Sequence, residues 1–180
     1  MSKRPWRVEF FAKFASEIAA SPLKVRRVLE LGSGPGFLAE HLLRSLGQVE
    51  YVLLDFSAAM HGLAKDRLGE LETRATFLER NFKEENWNTG LGSFECVFTN
   101  QAVHELRHKR HAVALHSQVR EVLAPGGAYL VCDHFAGEGG MKNEALYMSV
   151  AEQQQALHAA GFESVHQVMT KGGLVLHHAV

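Results

Sequence analysis

The sequence predicts an α/β layer fold built on a mostly parallel sheet. Short β-rich runs alternate with helical stretches, the first two runs are almost unbroken apolar, and the chain closes with a helix and a hairpin signal. Unbroken apolar strands are expected where helices cover both faces of a sheet. At 180 residues the chain is about one domain in length and long enough for a sizeable core.

Residues 5–20 read as a helix, because Trp6, Phe10, Phe14 and Ile18 recur every four positions, and Ser21-Pro22 stops it. Residues 26–31 read as a strand. Residues 35–46 form a helix with Leu38, Leu42, Leu43 and Leu46 on one stripe. A strand at 50–54 leads into a helix at 57–68 with Ser57 as its cap. Residues 75–79 and 94–99 read as strands. A helix at 108–123 ends before Pro125-Gly126-Gly127, and a strand follows at 129–133. After a glycine-rich loop at 137–140, residues 149–160 form a helix in which Ser149 and Glu152 make a capping box and Gly161 takes the C′ position. Strands at 163–170 and 174–179 flank Lys171-Gly172-Gly173. No linker interrupts this order, so one domain over 1–180 is expected, with a helical segment at 1–24 ahead of a core at 25–180.

Lysine plus arginine number 19 and aspartate plus glutamate 20, for a net charge of −1 with neutral histidine. A chain so balanced does not coat nucleic acid or an anionic membrane by its bulk field. No apolar run approaches the roughly 20 residues of a membrane span. The first residues show no secretory pattern, so a cytoplasmic protein is the expectation. Cys96 and Cys132 are too few for a disulfide scaffold or zinc site and are expected as buried, unbridged strand residues.

The strongest local signal is Val28-Leu29-Glu30-Leu31-Gly32-Ser33-Gly34-Pro35-Gly36-Phe37, a strand, a glycine turn and a helix start. Glycines let backbone approach a ligand closely, and Pro35 suits an early helical position. The loop lacks the lysine of a P-loop. It reads G-x-G-x-G, with Phe37 where the third glycine of the dinucleotide pattern belongs, which opposes a nicotinamide oxidoreductase.

Glu30-Leu31-Gly32-Ser33-Gly34-Pro35-Gly36 resembles motif I of the class I S-adenosylmethionine-dependent methyltransferases. Tyr51-Val52-Leu53-Leu54-Asp55-Phe56-Ser57 resembles their second-strand motif, Phe94 to Asn100 their fourth strand, and Leu123-Ala124-Pro125-Gly126-Gly127 the turn into the fifth. The resemblance covers roughly residues 25–180 and is greatest to the small-molecule enzymes of the ubiquinone/menaquinone-biosynthesis-like type. It implies a Rossmann-like three-layer sandwich with a seven-stranded sheet and an antiparallel C-terminal strand. It also implies S-adenosylmethionine as cofactor and S-adenosylhomocysteine as product. Glu30, Gly32, Ser33, Gly34 and Gly36 would line the aminocarboxypropyl arm, with its carboxylate near the helix N-terminus. Asp55 would accept from the ribose hydroxyls, or would merely cap its helix. Phe56 and Met60 would sandwich the adenine, although Met60 also suits a core. Asn81 stands where relatives usually have aspartate, beside Phe82, and Asn100 and Gln101 would meet the cofactor's amino group.

The implied reaction is in-line displacement at the methyl group by a small organic acceptor. His104 and His134 follow strand ends on the rim and are the candidates for a base, with Glu105 and Asp133 to orient them. His104, His108 and His111 have helical spacing, but Lys109 and Arg110 lie among them and nothing resembles H-E-x-x-H, so no metal is expected. The basic run 107–111 reads as a solvated helix start. Asn100-Gln101-Ala102-Val103 departs from the Asn/Asp-Pro-Pro-Tyr/Phe of base-amino methyltransferases. Trp6, Phe10, Phe11 and Phe14 form either an apolar lid over the site or packing at the sheet. Phe135, Met141, Tyr147 and Met148 line either a pocket or a second packing surface. With so little cap, a partner chain could close the site, so a homodimer is one expectation. A non-catalytic cofactor-binding interaction module is the alternative to an enzyme.

Overall fold

The computed structural model describes residues 6–180; Pro5, where the sequence starts the first helix, lies outside them. Helix α1 (Trp6–Ala19) precedes β1 (Arg27–Leu31), α2 (Phe37–Ser45), β2 (Glu50–Asp55), α3 (Ala58–Leu68) and β3 (Ala75–Glu79). Then come β4 (Phe94–Asn100), α4 (Ala112–Val122), β5 (Leu123–His134), α5 (Val150–Ala159), β6 (Val165–Lys171) and β7 (Leu174–Ala179). The strands form one sheet in the order β3-β2-β1-β4-β5-β7-β6. β7 runs antiparallel to both its neighbours. This is the expected Rossmann-like sandwich. The chain steps outward from β1 in one direction and from β4 in the other, so the switch point lies between those strands, where open α/β sheets bind ligands.

Alternation along the central strands sorts the core into two layers. Val28, Tyr51, Phe98 and Leu130 face α1, α2 and α3. Leu29, Val52, Val97 and Val131 face α4 and α5. Both terminal hairpin glycines hold positive φ, Gly172 at 58° and Gly173 at 76°, which is the twist a two-residue hairpin needs. The Ser149 capping box is formed.

One open alternative is settled and three expectations change. Helix α1 is not a lid: Phe10, Phe11, Phe14 and Ile18 are buried in the α2-side layer, and the Phe14 ring lies 5.8 Å from Phe98 on β4. The helix expected from 108 starts at Ala112, because Arg107 takes φ 68° and His108 is extended. His108 Nδ1 accepts from the Arg110 amide, making a 3-10 turn over Lys109–His111. That run is not simply solvated either, since Lys109 pairs with Glu152 at 2.6 Å. Finally, Pro125-Gly126-Gly127 is a bulge inside β5 rather than a turn before it. Leu123 pairs with Phe94, and the register then shifts so that Ala128 pairs with Cys96. Cys96 and Cys132 are buried and unbridged.

If α1 belongs to the core, Phe14→Ala should destabilise the chain by about 3–5 kcal/mol. Urea unfolding followed by circular dichroism measures this, and a loss near zero would restore the lid reading.

Candidate functional site

The turn after β1 is packed more tightly than side chains allow. Gly32 sits at φ 67°, and a Cβ there would lie 2.5 Å from Ala102 Cβ. Gly36, at φ 75°, would meet Ala64 at 3.0 Å. Gly34, at φ 53°, faces open space, with no heavy atom within 4 Å of such a Cβ. So Gly32 and Gly36 set the approach of neighbouring backbone, while Gly34 opens on the crevice. Gly36 also begins α2 without a side-chain cap. Ser33 is buried, and its Oγ has no hydrogen-bond partner.

Asp55 ends β2 and is 6% exposed. Its Oδ2 accepts from the Gly34 amide at 2.8 Å and its Oδ1 from the Ser57 amide at 2.9 Å. The carboxylate therefore ties the glycine loop to the start of α3. Each oxygen keeps a second lone pair. Glu30 on β1 is buried and accepts from the Tyr51 hydroxyl at 2.6 Å. Burial pushes its carboxyl up to about 8; the Tyr51 bond opposes this and the Asp55 charge adds to it.

Phe56 and Met60 lie exposed beyond Asp55. Asn81 is half-buried, and its Oδ1 accepts from the Lys83 amide at 3.1 Å. Phe82 is buried against the glycine loop, its ring 3.4 Å from where a Gly32 Cβ would sit. Asn100 ends β4. Gln101 follows at φ 59°, its amide donating to the Cys132 carbonyl at 2.7 Å. This left-handed residue turns the chain across the end of β5.

That turn delivers His104 to Asp133 near the end of β5. Asp133 is 4% exposed, and its Oδ1 stands 2.7 Å from His104 Nδ1. Its Oδ2 accepts from the His104 amide and its Oδ1 from the His134 amide, at 2.8 and 2.7 Å. Burial depresses the His104 pKa, but the Asp133 hydrogen bond and charge outweigh it, with Glu105 at 3.7 Å adding, and the net shift is upward. The Asp133 bond directs Nδ1–H inward, leaving Nε2 as the acceptor. The rings of His104, His134 and Tyr147 lie 5.5–5.9 Å apart in all three pairs. They border a cleft whose free space is about 10 Å³. Tyr147 and Met148 line this cleft. Phe135 and Met141 instead form the neighbouring turn, where the Met141 amide donates to the Phe135 carbonyl.

Among the described residues no group of three or more His, Cys, Asp or Glu side chains is placed to share a metal ion. No helix is long and apolar enough to cross a membrane. Sequence reasoning missed Gln153, read only as part of a helix. Its Nε2 donates to the His134 carbonyl at 3.0 Å, a tertiary contact with no local signal.

Residues 28–127 match the family profile described as a methyltransferase domain, over more than half the chain. The chain belongs to this family, and its architecture is that of the class I S-adenosylmethionine-dependent methyltransferases. No curated protein matches it. Among solved structures it is similar to an O-methyltransferase family protein from Burkholderia thailandensis, with a TM-score of 0.76 and 19% identity over 96% of this chain and 56% of that one. It is also similar to the glycopeptide N-methyltransferase MtfA, with a TM-score of 0.75 and 19% identity over 96% and 89% of the two chains. Streptomyces venezuelae DesVI gives a TM-score of 0.72 and 18% identity over 94% and 89%. The chain spans about half the length of the first of these and most of the other two.

Two outcomes test the loop. Gly32→Ala should cost about 1–2 kcal/mol in backbone strain and roughly 1–3 kcal/mol more in overpacking. Gly34→Ala should cost the strain alone. Thermal unfolding of the two variants separates them, and equal losses would contradict the packing difference. For Glu30 the folded chain holds a proton that the unfolded chain releases between the ordinary carboxyl range and about pH 8. Stability therefore declines as pH rises through that window. Glu30→Gln should flatten the decline in urea midpoints measured across it.

Proposed function

We propose that the protein transfers the methyl group of S-adenosylmethionine to a small organic acceptor, with His104 as the general base. The observation that carries this is that the glycine cradle, at the β1/β4 switch point, packs Gly32 on Ala102, two residues before the His104 that pairs with Asp133. The residues present fit the cofactor. Gly34 leaves open space, Ser33 Oγ is an unmet buried polar atom, and the α2 N-terminus is uncapped, as an anionic carboxylate requires. Glu30, on β1 just before that turn, would be an acceptor for an ammonium. Asp55 would use its remaining lone pairs for the ribose hydroxyls, so the capping and ribose roles coexist. Phe56 and Met60 would flank the adenine, Asn81 and Phe82 would border it, and Asn100 and Gln101 would offer backbone groups.

Once bound, the cofactor supplies an electrophilic methyl on a good leaving group. The chain's work is then alignment, which can supply about 7–11 kcal/mol, and proton removal. Asp133 is a positioning residue: it holds the His104 proton at Nδ1 and so presents Nε2 as a base to the acceptor's hydroxyl or amine. The acceptor side is formed by the segment after β4 and by the cover at 135–148. The small-molecule reading and membership of the quinone-biosynthesis-like type are carried by the resemblance, and a cytoplasmic setting is supported by the two unbridged cysteines. The narrowness of the cleft favours a second reading, a module that binds the cofactor without turnover.

Calorimetry with S-adenosylmethionine, followed by a search for acceptors that gain the mass of one CH₂, distinguishes the two. Tight binding with no transfer to any acceptor supports the module. Asp55→Ala should greatly weaken cofactor binding while the chain stays folded, and unchanged affinity sinks the ribose assignment. His104→Ala should lower turnover by about 10²–10⁴-fold. Asp133→Asn removes the charge that raises the His104 pKa, so the acid limb of the pH–rate profile should move to lower pH. An unmoved limb would show that Asp133 acts on structure alone.

A further inference from the structure

Gln153, on α5, is 4% exposed and lines the cleft beside His104, His134 and Tyr147. Its Nε2 donates to the carbonyls of His134 at 3.0 Å and Met148 at 3.4 Å. Two carbonyls on one side fix the amide orientation, since only the NH₂ can serve them. The Oε1 must therefore point the other way. It is sealed from solvent and has no donor. A buried carbonyl oxygen left unmet is costly, and a ligand that brings a donor recovers that cost.

The rest of the lining narrows the ligand. Three rings and apolar side chains such as Val131, Leu146 and Leu157 favour a flat aromatic body. The cation at the cleft, Lys109, is already paired with Glu152 at 2.6 Å, which leaves it poorly placed for an anionic acceptor. The carboxylate at the cleft, Asp133, already accepts from the His104 ring and two amides, which leaves it poorly placed for a cationic one.

We propose that Gln153 Oε1 reads a hydrogen-bond donor on the methyl acceptor, and that the acceptor is a small uncharged aromatic molecule with two such donors, one for His104 and one for Gln153. This rests on reading the cleft as the acceptor site. The free space of about 10 Å³ holds no more than one water. Entry therefore lifts the cover over residues 141–148, with Gly137 and Gly139, at φ 119° and 74°, as pivots. Gln153 itself pins that cover through the Met148 carbonyl, so reading the donor and closing the site fall to one side chain.

The test is ligand-observed NMR binding of phenol, catechol, resorcinol and hydroquinone to the full chain without cofactor. At least one diphenol should bind about tenfold more tightly than phenol and than its own monomethyl ether, the size of one buried hydrogen bond. Gln153→Leu should abolish that preference, so that the variant binds the diphenol no more tightly than phenol or the monomethyl ether. If the variant does not fold, the wild-type comparison decides alone. Equal affinities, no binding of any of the four, or a preference that survives in Gln153→Leu overturns the inference. Calorimetry with S-adenosylmethionine on the same sample keeps the two readings apart. Cofactor binding without a diphenol preference sinks this inference only, and a preference without cofactor binding sinks the transfer reading only.

Discussion

The close approach of backbone at the end of β1 is the constraint on which the remaining site depends. Gly32 lets Ala102 sit where a Cβ would otherwise be, and Gly36 does the same for Ala64 on α3. The end of β2 then fastens the loop. The Leu54 carbonyl accepts from the Gly32 and Ser33 amides at 2.8 and 3.1 Å, and Asp55 accepts from Gly34 and Ser57. A larger residue at Gly32 would push away the segment that carries His104, because Ala102 is only two residues ahead of it. The glycine loop and the His104 segment are thus mechanically one object, although they follow different strands.

The second half of the site is built differently. His104, Asp133, Tyr147 and Gln153 come from separate stretches of chain, and side chains rather than backbone define them. Asp133 makes this possible. A carboxylate 4% exposed would be costly alone, but it accepts from two amides and from the His104 ring. Those bonds fix the His104 tautomer and the exit of the chain from β5 together. The left-handed Gln101 sets their geometry by sending the chain from β4 across the Cys132 carbonyl.

What the sequence made legible follows from range. β3 at 75–79, the Ser57 cap, the Ser149–Glu152 box and the terminal glycine hairpin are local, and each matches the structure. The glycine loop was legible because φ constraints and ligand approach are written in adjacent residues. The β5 bulge was not, because Pro125-Gly126-Gly127 signals a turn equally well, and only the pairing of Leu123 with Phe94 makes it part of a strand. The segment 80–93 showed no periodicity. It is held by Arg80 bonding the Trp87 and Thr89 carbonyls and by Trp87 donating to Gln118 on α4. The position of α1 stayed open between lid and core because a four-residue apolar stripe names a buried face without naming its partner. Gln153 was invisible for the same reason.

This division explains how the fold persists among neighbours of 18–19% identity with TM-scores of 0.72–0.76. The cofactor half asks for glycines at particular torsions, an acid after β2 and two apolar layers, all of which many sequences can supply. The half around His104 asks for individual polar side chains to meet across α5, β5 and the segment after β4, and a single substitution there breaks a contact. These are contacts that sequence periodicity cannot show. The glycine loop is written in adjacent residues, whereas the buried carboxylate and amide behind the rings meet only through the tertiary fold.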